Sequence, residues 1–140
     1  MTKSTRYSQK RWSLASLYPA YNSPEMKAAY KELETLTAAF EKKRRLLTDK
    51  ISQSEFMTMI QELEKLYRIG HRLGSFAELW FTEDTQNQEA LGMVAHTEQL
   101  LSEISNRVLF FSLWWKSLCD EHAAALMAGA GDYRYWLEEM

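Results

Sequence analysis

The chain has 140 residues, 46% apolar and 26% charged, with a formal net charge of -2 and a pI near 5.9; at that length it forms one domain that buries about two-thirds of its unfolded surface. Five Trp, seven Tyr and six Phe exclude disorder, and five Gly with two Pro are too few for a loop-rich β-sandwich. A single cysteine, Cys119, excludes an internal disulfide framework, and the near-neutral charge gives no reason to expect nucleic acid as a partner.

Residues 1–11 (MTKSTRYSQKR) are polar and basic without periodicity, which predicts a mobile start. No apolar stretch follows Lys3 and Arg6, so no secretory signal is expected, and together with the lone cysteine this points to a cytoplasmic location. Residues 12–22 hold Trp12, Leu14, Leu17 and Tyr18 at a spacing that fits neither helix nor strand and stop at Pro19. They read as an irregular N-terminal arm with one tight turn, laid on a helical body.

Ser23-Pro24-Glu25 is a helix start: a capping hydroxyl, a proline at the first helical position and an acid against the positive end of the dipole. Met26, Tyr30, Leu33, Leu36, Phe40 and Leu47 recur at mostly three- and four-residue steps and predict a helix over 23–47. Lys42-Lys43-Arg44-Arg45 in its last turns would suit a phosphate or acidic peptide. Cations that oppose the dipole at a helix C-terminus are the simpler account, given acidic neighbours on both sides.

A second helix is expected over 54–81, from Ser54-Glu55 through Phe56, Met59, Ile60, Leu63, Leu66, Leu73, Ala77 and Trp80. Gly70 and Gly74 lie inside it, and each costs about 1 kcal/mol against alanine. Either they form a smooth groove for close approach of another backbone, or the helix breaks near Gly70. After a polar connection the third helix is expected over 86–118, about 45 Å at 1.5 Å per residue. Residues 120–140 read as a short helical tail broken at Gly129-Ala130-Gly131. The fold expected is all-α: an antiparallel bundle of three long helices with a short C-terminal helical segment and the irregular arm.

Leu109-Phe110-Phe111-Ser112-Leu113-Trp114-Trp115 covers about two-thirds of a helix circumference, wider than the stripe of a helix with one wet side. The longest apolar run, Val108 to Cys119, is interrupted and too short to span a bilayer, so no membrane partner is expected. Part of this surface, with Trp12 and Tyr135-Trp136, is expected to meet another domain or a second copy. The residues assigned to that interface are Trp12, Leu14, Leu17, Tyr18, Phe110, Trp114, Trp115 and Trp136.

Chemistry-bearing motifs are absent from the chain. Glu121-His122 is followed by alanines with no second His within a turn, and His71, His96 and His122 lack ligand-spaced partners. Cys119 reads as a buried or partly buried thiol. Glu32-Glu34, Glu62-Glu64 and Glu138-Glu139 read as solvated helix faces, and there is no phosphate loop, dinucleotide fingerprint or nucleophile elbow. No catalytic, metal or cofactor residue is therefore assigned.

Residues 11–26, Arg11-Trp12-Ser13-Leu14-Ala15-Ser16-Leu17-Tyr18-Pro19-Ala20-Tyr21-Asn22-Ser23-Pro24-Glu25-Met26, resemble the opening of the oligoendopeptidase F family, thimet-oligopeptidase-like zinc metallopeptidases. That opening commonly reads W-x-L-x-x-L-Y-P, an aromatic, then D/N-S-P-E/D. The resemblance continues through Gly70-His71-Arg72-Leu73-Gly74-Ser75-Phe76-Ala77 and Thr82-Glu83-Asp84-Thr85, over about residues 11–118. Ser13 departs from the acid often found after the tryptophan. The resemblance implies a non-catalytic, N-terminal helical wall or lid over a cleft that admits oligopeptides. The zinc, held by H-E-x-x-H and a further Glu, would belong to a catalytic part that no position here matches. A free-standing helical module that self-associates through the aromatic helix is the alternative.

Overall fold

The computed structural model describes residues 12–140; the expected mobile start over 1–11 lies outside the described residues. Cap chemistry sets the first helix, α1, at Pro24–Lys42. Ser23 Oγ accepts the Met26 N–H at 3.2 Å, Pro24 takes the first helical position, and Glu25 lies in the first turn. Asn22, just before the cap, has φ 57°, a left-handed conformation that asparagine tolerates better than bulkier residues. Met26, Leu33, Thr37 and Phe40 are buried, and the Thr37 hydroxyl donates to Leu33 O at 2.7 Å, which satisfies it inside the core. The expected helix to residue 47 ends sooner: the basic run forms a tight 3-10 turn, Lys43–Leu46.

The second helix, α2, spans Gln53–Glu83. Its start is a capping box: Ser52 Oγ accepts the Glu55 N–H at 3.2 Å, and Glu55 Oε2 accepts the Ser52 N–H at 3.1 Å. The expected start at Ser54-Glu55 shifts because Glu55 serves as the third helical residue, not the first. α2 runs unbroken through Gly70 and Gly74, so the helix-break reading is corrected. The third helix, α3, spans Gln88–Ser117, with Asn87 Oδ1 accepting the Ala90 N–H at 3.0 Å.

These three helices pack up, down and up. Lys43 pairs with Glu62 and Lys65 with Glu32, so α1 and α2 are antiparallel. Phe56 meets Trp115, and Gly74 faces Thr97, so α2 and α3 are antiparallel too. α1 and α3 then run the same way, as the paired contacts of Tyr30 with Thr97 and of Phe40 with Phe110 require. Phe40, Phe56, Phe111, Met26, Leu33, Ile60, Leu66 and Leu73 fill the shared core. Among the described residues there is no strand, and no helix is long and apolar enough to cross a membrane.

Two short helices complete the chain: α4, Asp120–Ala128, and α5, Arg134–Glu139, joined through a 3-10 turn at Gly131–Tyr133. This tail folds back along α2 and α3. Gln53 Nε2 donates to Leu126 O at 3.0 Å, and Leu126, Ala130 and Leu137 are buried. At the other end of the bundle, the arm lies on α2. Tyr18 is buried edge-on against Phe76, with ring centroids 5.9 Å apart, and the Arg72 guanidinium sits over its ring at 4.9 Å. Tyr21 stacks on Trp80 at 4.7 Å.

Candidate functional site: the arm, the aromatic helix and the cleft beneath the tail

The eight residues assigned to one interface occupy three separate places. In the arm, Tyr18 is buried within the chain, Leu14 and Leu17 are half-buried, and only Trp12 is free, 73% exposed. Tyr18 is therefore corrected from interface to core: Phe76 and Arg72 already cover its ring.

On α3 the wide apolar arc is largely covered by the chain itself. Trp115 is core, stacked on Phe56 at 5.5 Å and 20°, and its indole N–H donates to Leu137 O at 3.1 Å. That corrects its assignment to the interface. Trp114 is half-buried against Phe56 and Phe111. Phe110 is half-buried between Phe40 and the Arg44 guanidinium, 5.5 Å above its ring. α1, α2 and the tail thus take one sector of the arc each. Leu109 and Leu113, one turn apart, stay exposed at 47% and 58%, and Tyr135 on the tail at 72%. The i, i+4 spacing of the two leucines is the signal that would have singled them out from the wider arc.

Gly70 and Gly74 do admit a close approach, by a side chain and not a backbone. A Cβ at Gly70 would meet Leu101 Cδ2 at 2.5 Å, while one at Gly74 would meet Leu101 Cδ1 at 3.7 Å and Thr97 Cγ2 at 3.9 Å.

Trp136, the eighth residue, is half-buried in a cleft of about 470 Å³ between α2 and the tail, with Ile60, Glu64, Tyr67, His71 and Tyr133 around it. Sequence reasoning missed this cleft because Glu64 and Tyr133 are 69 residues apart. The Tyr133 hydroxyl donates to Glu64 Oε2 at 2.6 Å, and Arg68 Nη2 donates to Oε1 at 2.7 Å. Those two bonds, the tyrosine's first, hold the Glu64 carboxyl below its ordinary range. The same bond raises the Tyr133 hydroxyl, and burial raises that of Tyr67.

The acidic pairs lie on solvated helix faces as expected, except for the half-buried Glu62, and most of them carry an ion pair. Glu32 pairs with Lys65, Glu34 with Arg107, Glu62 with Lys43 and Glu138 with Arg134. Within the basic run, Lys43 and Arg44 have partners inside the bundle, while Lys42 and Arg45 border a shallow groove. Cys119 is exposed at the corner between α3 and α4, which corrects the expected burial.

His71, His96 and His122 are exposed, the first two beside Tyr67 and Tyr30. Among the described residues no three His, Cys, Asp or Glu side chains gather where they could hold a metal ion. No family model matches the chain, and neither a curated protein nor a solved structure matches it.

Proposed function

We propose that this chain is the non-catalytic, cleft-wall or lid portion of a zinc metalloendopeptidase of the oligoendopeptidase F type, which hydrolyses oligopeptides. The zinc and its H-E-x-x-H helix belong to the catalytic part; the residues here supply shape. The observation that carries the reading is the arm. Its family-like residues split into an anchor, Tyr18 clamped by Phe76 and Arg72, and a projection, Trp12 left 73% exposed. An anchored strap that holds an indole out into solvent is suited to docking on a second domain, since tryptophan is enriched at interface hot spots. The exposed thiol of Cys119 fits a reducing, cytoplasmic setting.

Leu109 and Leu113 favour the second reading, self-association of a helical module, because an exposed leucine pair on a rigid helix suits a two-fold contact. One comparison separates the two. The gene is read past the codon for Met140, and the purified chain is run by sedimentation with and without a catalytic fragment supplied in trans. An H-E-x-x-H helix in frame, with a mixed complex that cleaves a quenched oligopeptide, supports the peptidase reading. A dimer lost on Leu113→Gln, with no such frame, supports self-association and overturns the first reading.

A further inference from the structure

The cleft between α2 and the tail shares Trp136 with the expected interface, and its lining has a chemistry of its own. Tyr67, Tyr133 and Trp136 border a cavity of about 470 Å³, with the Glu64 carboxylate in its wall. A second cavity of about 440 Å³ shares Tyr67, His71 and Trp136 with it and is bordered by Glu139 and by Leu109 of the exposed leucine pair. These volumes lie within the usual range for small-ligand sites, about 300–1,000 Å³. Aromatic ring faces carry negative quadrupole charge and attract cations that shed their water easily, which alkylated ammonium ions do.

The two cavities are bordered by two carboxylates, Glu64 and Glu139, against one guanidinium, Arg68. Arg68 is itself instructive. It reaches in from solvent, 73% exposed, and occupies one oxygen of Glu64. Arg68 is thus a mostly exposed cation at the edge of the cleft, and a cationic guest would compete with it for Glu64. Tyr133 keeps the carboxylate aimed by donating to its other oxygen.

We propose that this cleft binds an alkylated ammonium ion, seated against Trp136, Tyr67 and Tyr133 with Glu64 as its counter-charge. The shared chemistry belongs equally to a free quaternary amine and to a methylated lysine side chain.

The test titrates the full chain with choline and with acetylated trimethyl-lysine amide, following the Trp136 indole N–H by NMR, assigned with Trp136→Phe. Dimethylbutanol, the neutral carbon isostere of choline, is the control at matched salt. Saturable binding of either cation, at least tenfold tighter than the alcohol, is expected. The tighter of the two cations identifies the source. Glu64→Gln, which can still accept from Tyr133, should weaken it about tenfold, and Arg68→Ala should tighten it. Equal binding of the alcohol, or indifference to both Glu64→Gln and Arg68→Ala, overturns the proposal. Neither result bears on the peptidase reading.

Discussion

The indole N–H of Trp115, at the end of the aromatic run on α3, donates to the carbonyl oxygen of Leu137 in the last helix, 3.1 Å away. This bond satisfies a carbonyl that the short α5 leaves without an intrahelical partner, and it ties the tail to the core. Trp115→Phe keeps the stack on Phe56 but drops the bond. It should lower stability by about 1–2 kcal/mol in urea unfolding and make the tail the first site of proteolysis. Trp115→Gln also forfeits packing and should cost about 3 kcal/mol or more, whereas Trp12→Gln should stay within about 0.5 kcal/mol. Equal losses at the two tryptophans would contradict the placement of one in the core and the other in solvent.

The paired glycines should respond differently to alanine. At Gly74 the added Cβ makes ordinary contacts of 3.7 and 3.9 Å, so helix propensity dominates and Gly74→Ala should stabilise by about 0.5–1 kcal/mol. At Gly70 the end of Leu101 must swing away from a 2.5 Å contact, which offsets the gain. Thermal melts of both variants, and of Gly70→Ala with Leu101→Ala, check the ordering; a larger gain at Gly70 than at Gly74 would refute it.

Arg107 joins α3 to α1 by bonds of 2.7 Å to both Glu34 and Glu41. Arg107→Lys loses the planar fork and should cost about 1 kcal/mol at most, because these partners are partly exposed and screened. The side-chain bond from Arg107 holds Glu41 below its ordinary value of 4.5. Its contribution is therefore present above 4.5 and disappears as pH falls through the lowered value. The gap between wild type and Arg107→Lys should close in acid and narrow in high salt, measured by denaturant midpoints under each condition.

The bond between Tyr133 and Glu64 should release the tail from both ends of the pH scale. The Tyr133 hydroxyl is raised above 10.0 by Glu64, so its contribution holds below 10.0 and is lost as pH rises through the raised value. Glu64, lowered chiefly by Tyr133, contributes above 4.5 and loses that contribution as pH falls through the lowered value. Hydrogen exchange of α5, taken relative to the intrinsic rate at each pH, should accelerate at either extreme while α2 stays protected. Tyr133→Phe should show the faster exchange already at neutral pH; unchanged protection of α5 would mean that the bond does not hold the tail.

Local chemistry explains which features were legible in the residues. Ser23-Pro24-Glu25 marks a helix start because cap, ring and charge act within four positions, and α1 begins there. The next start is expected at Ser54, whereas the capping-box spacing Ser52-Gln53-Ser54-Glu55 places it after Ser52, where Glu55 closes the box. Apolar periodicity likewise marks out the three long helices, since each stripe repeats within a single helix. The breadth of the Leu109 to Trp115 arc signals contact on several sides, yet it carries no information about what makes those contacts.

Partners distant in sequence settled the rest. Phe40 and Arg44 cover Phe110, Phe56 stacks on Trp115, and Leu137 receives its indole proton. The cleft exists because Tyr133 reaches Glu64 across 69 residues. Amphipathic patterning sets helix type and the face to be buried, because it depends on neighbours within a turn or two. Which faces meet, and which of Trp12, Leu109, Leu113 and Tyr135 remain in solvent, depends on how the helices cross and where the tail lies, and no local pattern encodes that.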